Sequence, residues 1–446
     1  MTPHEKIDAY LRRDAEREFK AVDPRLRFIA EKAQEFYWTV SRLLGLERLH
    51  DGKWRTPSQT EAHALRETLE TDAPAPPEKG RLLIDMTATH RYRKNSGVQR
   101  VVREIARACV AAGDALPVYI EDGRLYSHFI HPHLPDEVEF RDGDKWFLLD
   151  SGWGFWPEYP PLIEAAHRAG AMVVGCVYDI IPLRFPDATE PANCAAFVQW
   201  FTHVLTTCDA LFCISKSVAD ELVDYAREEG GASLADRPIG WWPLGADFRA
   251  PTGARPSEKA RAIAESGEAF FLSVGTLEPR KAYPVAIAAF EKLWREGRSL
   301  RYVIVGRPGW KTRALQRDIR RHPEFGRRLF WLDNADDADL AYLYQRARAL
   351  IFPSFAEGFG MPLVEAAHFG APVIASDIAV FREIGGENVT YFPLLDVDAL
   401  ASRLIEAPAD RPAAAPQQPI SWRQSASILA QALKKDRYQY DRRGLA

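Results

Sequence analysis

Cysteine is scarce in this 446-residue chain, with five residues at 109, 176, 194, 208 and 213. Only Cys208 and Cys213 lie close together, and neither a Cys-x-x-Cys pair nor a His-flanked zinc spacing occurs. Neither a disulfide framework nor a structural zinc is expected. A dominant charge is lacking too. Lys plus Arg number 58 against 62 Asp plus Glu, and the net charge of -4 gives no general pull toward nucleic acid. No apolar run approaches the ~18 residues of a membrane span. Residues 1–6 show no apolar signal core. The expectation is a reduced, soluble, cytoplasmic protein, and a membrane contact would have to be peripheral to the inner face. Hydrophobic residues at 46% and charged residues at 27% exclude a disordered chain, a collagen or a coiled-coil rod.

At ~150 residues per domain, the length predicts two large domains plus extensions. Residues 1–70 read as a helical extension. Its charge is balanced, and Phe28, Ile29, Ala33, Phe36, Tyr37, Val40, Leu43 and Leu44 recur at helical spacing. Such a helix would pack on the main body or make a homo-oligomer. Trp38, Arg42, Leu43 and Leu44 would also suit a membrane surface, although the balanced charge argues against strong attraction to anionic lipid. Residues 71–80, TDAPAPPEKG, form a Pro-rich linker.

From there short apolar runs alternate with helical segments. Strands are predicted at 82–86, 116–120, 146–149, 172–178 and 210–214, with helices at 98–112, 161–169, 195–206 and 217–226. A break over 251–268 carries Pro251, Gly253 and Pro256. The alternation then restarts at 269–406, with strands at 270–274, 302–305, 329–332, 349–352, 372–375 and 389–392. A low-complexity stretch and a final helix near 421–433 occupy 407–446. The pattern predicts an α/β protein. Two Rossmann-like, doubly wound parallel-sheet domains, 81–250 and 269–406, would face a cleft at the carboxyl ends of their strands.

The densest signal is residues 352–370, FPSFAEGFGMPLVEAAHFG. A buried strand runs into a loop with Gly358 and Gly360, and a helix opens near Met361 and Pro362, where Pro fits the first turn. Bare N–H groups at that helix start suit an anion. Two carboxylates there, Glu357 and Glu365, would repel phosphate but accept hydrogen bonds from sugar hydroxyls.

This Glu, seven residues, Glu pattern within EGFGMPLVEA resembles the signature of retaining glycosyltransferases of family 4, which have the GT-B fold. GAPVIASD at 370–377 and VGTLEPRK at 274–281 resemble the same family, so the likeness spans the second domain. It implies that Glu357 faces a donor sugar and Glu365 the ribose of a nucleotide. Arg280 and Lys281 would hold the diphosphate, whose charge grows as the glycosidic bond breaks. Gly275, Gly358, Phe359 and Gly360 lie on the same donor loops.

In the first domain, DMTATHRYRKNSGVQ at 85–99 reads as a strand end, a basic polar loop and a helix start. Ser96 is a good N-cap and Gly97 would let a phosphate approach. SGVQRVVRE resembles a subgroup building bacterial surface polysaccharides, including mannosyl- and rhamnosyltransferases. Arg103 reads as structural, and Arg100 as structural or functional. In VYDIIP many relatives carry His-Asp, but this chain has Tyr178 and Asp179. Tyr178 can donate a hydrogen bond but is a poor acid-base group near neutral pH. Asp179 would orient an acceptor or donor hydroxyl. Ser215, Lys216 and Gly245 also end strands and resemble cleft positions.

Asp-x-Asp pairs at 142/144, 337/339 and 396/398 could suggest Mg²⁺. Asp337 and Asp339 read instead as caps, and Arg280 and Lys281 supply cations without a metal. His368 reads as structural. The resemblance implies a retaining, metal-independent hexosyltransferase without a cofactor, its partners a nucleotide-sugar donor, GDP-mannose favoured, and a glycan or lipid-linked glycan acceptor. The alternatives are a degenerate binding or scaffold protein, to which Tyr178 points, and a nucleotide-sugar epimerase.

Overall fold

Runs of apolar residues in this chain become central strands buried on both faces, such as Leu82–Asp85 and Ala349–Phe352, and sixteen strands are seen in the described residues. The computed structural model describes residues 2–21, 65–69, 74–92, 97–228, 237–248, 253, 255–408 and 419–440. Strand β1 (Glu67–Thr68) pairs with β5 (Phe129–Ile130) in a two-stranded sheet. The first large sheet contains β2 (Leu82–Asp85), β3 (Leu116–Glu121), β4 (Arg124–Ser127), β6 (Glu137–Val138), β7 (Lys145–Leu148), β8 (Met172–Val177), β9 (Ala210–Cys213) and β10 (Ile239–Trp241). Its order is β10-β9-β8-β7-β2-β3-β4-β6.

The expectation of a wholly parallel sheet needs correcting at one edge. Strands β3, β4 and β6 pair antiparallel. The cause is Asp122-Gly123, both at positive φ (47° and 73°), a two-residue turn that folds the chain straight back.

The second sheet is parallel throughout: β11 (Phe270–Val274), β12 (Arg301–Val305), β13 (Leu329–Leu332), β14 (Ala349–Phe352), β15 (Val373–Ser376) and β16 (Val389–Phe392), in the order β13-β12-β11-β14-β15-β16. Chain direction across each sheet reverses at one place, between β2 and β7 in the first and between β11 and β14 in the second. In doubly wound sheets ligands bind in the crevice outside that reversal.

Both ends of the chain cross over. Helix Trp422–Lys434 opens on a capping box of Ser421 and Gln424 and packs on helix Gly97–Ala111 of the first domain. Helix Pro3–Ala21 packs on helix Arg313–Arg321 of the second domain. The helical stretch expected over 28–44 lies outside the described residues. The break expected over 251–268 contains a short helix, Glu258–Ala264. Ser257 caps it, and it buries Ala260 and Ile263. Among the described residues no helix is long and apolar enough to cross a membrane.

Candidate functional site

The loops after β11 and β14 meet at the reversal point of the second sheet. Both Glu357 carboxylate oxygens are engaged. Oε2 accepts from Arg280 Nη1 at 2.6 Å, and Oε1 accepts from Lys281 Nζ at 2.5 Å. Arg280 also donates through Nε to Glu278 at 2.8 Å and through Nη1 to the Ala356 carbonyl at 3.1 Å. Its own carbonyl accepts the Phe355 N–H at 2.9 Å, so the two loops are sewn together by backbone as well. Ala282, just after Lys281, holds left-handed backbone at φ 47°, an uncommon state for a residue with a side chain. It turns the chain into helix Tyr283–Arg295 while Lys281 stays over the loop.

The electrostatics follow from this clamp. Burial raises the Glu357 carboxyl, but the charges of Arg280 and Lys281 outweigh it and hold the group down at about 2. Burial and the neighbouring Arg280 lower the Lys281 ammonium. Asp179 is raised by burial, against the pull of Arg280. A carboxylate fixed between two cations, and an acid facing one of them, form a charged centre shielded from water.

The first domain closes over this centre. A Cβ on Gly358 would sit 2.0 Å from the Tyr178 carbonyl oxygen and 3.3 Å from the Asp179 Cβ, so only glycine permits the approach. The Gly358 carbonyl accepts from Ser215 Oγ at 2.7 Å. Tyr178 donates to the Leu149 carbonyl at 2.9 Å, and burial pushes its hydroxyl well above the ordinary phenol value. Asp179 accepts from the Ile181 N–H at 3.1 Å. Glu357, Arg280, Lys281, Tyr178 and Asp179 are therefore brought together.

Glu365 lies apart, on helix Met361–His368, whose N-cap Gly360 takes φ 97°. Its Oε1 accepts from Arg100 of the first domain at 2.6 Å and its Oε2 from the Tyr344 hydroxyl at 2.9 Å. The Arg100 guanidinium stands 4.5 Å over the Phe248 ring. Burial raises the Glu365 carboxyl, opposed by Arg100 and Tyr344. Phe359 is buried in the hydrophobic core, so its backbone is the part left for a ligand. The Gly275 carbonyl accepts from the Tyr283 hydroxyl at 2.6 Å. Gly97 begins its helix with nothing among the described residues within 4 Å of an added Cβ. Ser96 lies outside the described residues.

The basic loop expected after β2 is in part a helix, Thr87–Tyr92, with its basic side chains turned inward. His90 stacks on Tyr119 with ring centroids 3.7 Å apart, and Arg91 makes a two-pronged contact with Glu158 at 2.7 and 2.8 Å. Beneath it, at the reversal point of the first sheet, Asp85 and Asp150 are both buried. Burial raises Asp85 to about 7, and raises Asp150 to about 6. Asp85 accepts from Tyr159 at 2.9 Å, and Asp150 from the Thr89 and Ser151 N–H groups. Sequence reasoning missed this pair, because each acid alone looks like an ordinary strand-end cap.

Other assignments shift. The cap of helix Asp337–Tyr344 is Asp336, while Asp339 accepts from the Ser257 N–H. Asp396 caps helix Val397–Glu406, and Asp144 is buried against Arg81. Gly245 is required by Trp422, whose backbone would lie 2.5 Å from an added Cβ. His368 is exposed and edge-on to Phe369 rather than packed under its helix. Lys216 and Ser217 donate their N–H groups to Glu383 of the second domain. Among the described residues no three His, Cys, Asp or Glu side chains are placed to share a metal.

Residues 255–420 match the family model described as Glycosyl transferases group 1. Over 330 residues, 70% of this chain, the sequence is 36% identical to the serotype-specific mannosyltransferase WbdA of Escherichia coli, covering 39% of that protein. O-antigen chain mannosyltransferase B of Escherichia coli is 34% identical over 188 residues, 41% of this chain and 46% of that one. The chain spans about two fifths of the length of the first of these curated relatives. Among solved structures, sucrose-phosphate synthase from Thermosynechococcus elongatus matches with a TM-score of 0.52 at 17% identity, over 82% of this chain and 96% of that one. Anabaena HepE, solved with UDP and glucose, gives 0.52 at 16% identity over 80% and 97%. These likenesses are of fold, and the fold is GT-B.

Proposed function

The second domain of this chain belongs to the glycosyl transferases group 1 family, and from that footing we propose that the chain is a retaining, metal-independent glycosyltransferase. It moves mannose from a nucleotide-sugar, GDP-mannose favoured, to a glycan or lipid-linked glycan in bacterial polysaccharide synthesis. The observation that carries the reading is the clamp of Arg280 and Lys281 on Glu357 at the reversal point of the second sheet. The donor's diphosphate competes for the two cations. As it binds, it draws Arg280 and Lys281 onto its oxygens and releases Glu357 to accept from a sugar hydroxyl. The cations then stabilise the charge that develops on the leaving nucleoside diphosphate. Glu365 takes the ribose hydroxyls. Asp179 and Tyr178 line the side from which the acceptor arrives.

In this reading the acceptor hydroxyl attacks the anomeric carbon on the face the diphosphate is leaving. Its proton passes to the departing phosphate oxygen, so configuration is kept without a protein nucleophile. The closed contact at Gly358 keeps water from the same carbon. The names of the mannosyltransferase relatives support the sugar and the acceptor class. The five free cysteines are in keeping with a cytoplasmic setting.

The test is a thermal-shift and turnover panel of GDP-, UDP- and dTDP-sugars on the wild type and Glu357→Ala. One sugar nucleotide should raise the wild-type midpoint and be hydrolysed slowly by the wild type alone. Product from a defined mannan acceptor should carry the donor's anomeric configuration by NMR. No response to any nucleotide sinks the proposal, and an inverted product sinks the retaining step.

A further inference from the structure

Helix Pro3–Ala21 lies far in sequence from every motif used above, yet it touches the loops that carry Glu357 and Asp179. Its apolar residues fall at i, i+3 and i+4. Ile7, Tyr10 and Leu11 are 4%, 9% and 5% exposed. They enter one cluster with Ile181 and Ala188 of the first domain and Leu315 and Phe355 of the second. Four rings close a circuit there. Tyr10 meets Phe355 edge-on at 6.0 Å, Phe355 meets Phe185 edge-on at 5.4 Å, and Phe185 lies 5.9 Å from His4 on the helix again. Phe355 is two residues before Glu357, and Phe185 is six beyond Asp179. Further ties join the same segments. Trp310 Nε1 donates to the Ala188 carbonyl at 3.0 Å and Lys311 Nζ to the Asp187 carbonyl at 2.8 Å, while Arg17 pairs with Asp318 at 2.8 Å.

We propose that helix Pro3–Ala21 is a working part of the transfer site, and that Tyr10 is a positioning residue. Packed on Phe355, it sets the seat of Glu357 against Asp179 across the domain junction. The role comes from ring shape, because the buried Tyr10 hydroxyl has no hydrogen-bond partner among the described residues. This rests on the transferase reading, under which a small displacement of Glu357 is costly: about 1 Å of misplacement from remote changes can lower rates by ~10²-fold.

The experiment uses the full chain with Tyr10→Ala, Tyr10→Phe and Tyr10→Leu. Tyr10→Ala should lower kcat at least ~10-fold and leave the donor KM nearly unchanged. It should also speed hydrogen exchange at the Phe355 amide, which bonds to the Arg280 carbonyl. Tyr10→Phe should restore both to wild type. If Tyr10→Ala does not fold, Tyr10→Leu, which keeps apolar bulk without the ring, decides by the same two readouts. Unchanged exchange over 353–360, or a lowered kcat that Tyr10→Phe fails to rescue, overturns the proposal. If the wild type transfers no sugar, the transferase reading fails, and the exchange measurement still decides whether the helix seats the loop.

Discussion

Replacing Glu357 by Gln separates charge from shape at the centre of the site. The Glu357 carboxyl falls from an ordinary 4.5 to about 2 in the folded chain. It is 7% exposed, so solvent screening takes little from the effect. A depressed folded value means stability that is present above the unfolded value and lost as pH drops through the folded one. At pH 7 the drop is worth about 3 kcal/mol. Working down the two titrations, about 1 kcal/mol is gone at pH 4 and about 2 kcal/mol at pH 3. Glu357→Gln has no such carboxyl. Groups remote from the clamp cancel in the comparison. Urea unfolding at pH 7, 5, 4 and 3, followed by fluorescence of the 12 tryptophans, gives the difference in unfolding free energy. That difference should be largest at pH 7 and shrink by about 2 kcal/mol at pH 3. A difference that stays constant over this range would refute the argument that Arg280 and Lys281 hold Glu357 ionised.

Lys281→Ala should lower turnover by ~10²–10³-fold, the usual cost of losing one donor to a developing oxyanion, measured with the sugar nucleotide that the panel identifies. Gly358→Ala, which sets a Cβ 2.0 Å from the Tyr178 carbonyl, should lower the thermal midpoint and more than halve turnover. Gly97→Ala, which meets nothing among the described residues, should leave the midpoint unchanged, and calorimetry decides both. Arg100→Ala leaves Glu365, among the described residues, with the Tyr344 hydroxyl alone and should cost ~1.5–3 kcal/mol, the range for a bond to a charged group; an unchanged urea midpoint would count against the cross-domain pair. Tyr178→Phe should leave the pH-rate profile from pH 6 to 9 unmoved, because burial holds that phenol far above the range.

What was legible in the sequence is what the chain does locally. The spacing of Glu357 and Glu365 is readable because one strand, one glycine loop and one helix carry both, with no distant partner needed. The alternation of apolar runs marks the strands for the same reason. The Arg100–Glu365 pair is invisible because 265 residues separate its members. Arg100 has the same helical setting as Arg103, and only the fold tells them apart. Helix Thr87–Tyr92 was hidden because His90 and Arg91 look like solvated residues until Tyr119 and Glu158 cover them. The Asp122-Gly123 turn is a local signal of two residues, and it is enough to reverse one edge of a sheet whose other strands follow the parallel pattern.

The exchange of terminal helices between the two domains sets an order of assembly. The berth of Ile7, Tyr10 and Leu11 includes Phe355, about 340 residues later in the chain. At ~5–20 residues per second of synthesis, that stripe waits roughly 20–70 s without its partners. Helix Gly97–Ala111 waits in turn for Trp422–Lys434. The first domain therefore cannot be finished before the second has been made. A ribosome stalled near residue 250 would hold a sheet with one flank bare and an amphipathic helix whose apolar stripe is uncovered, the kind of intermediate that chaperones hold.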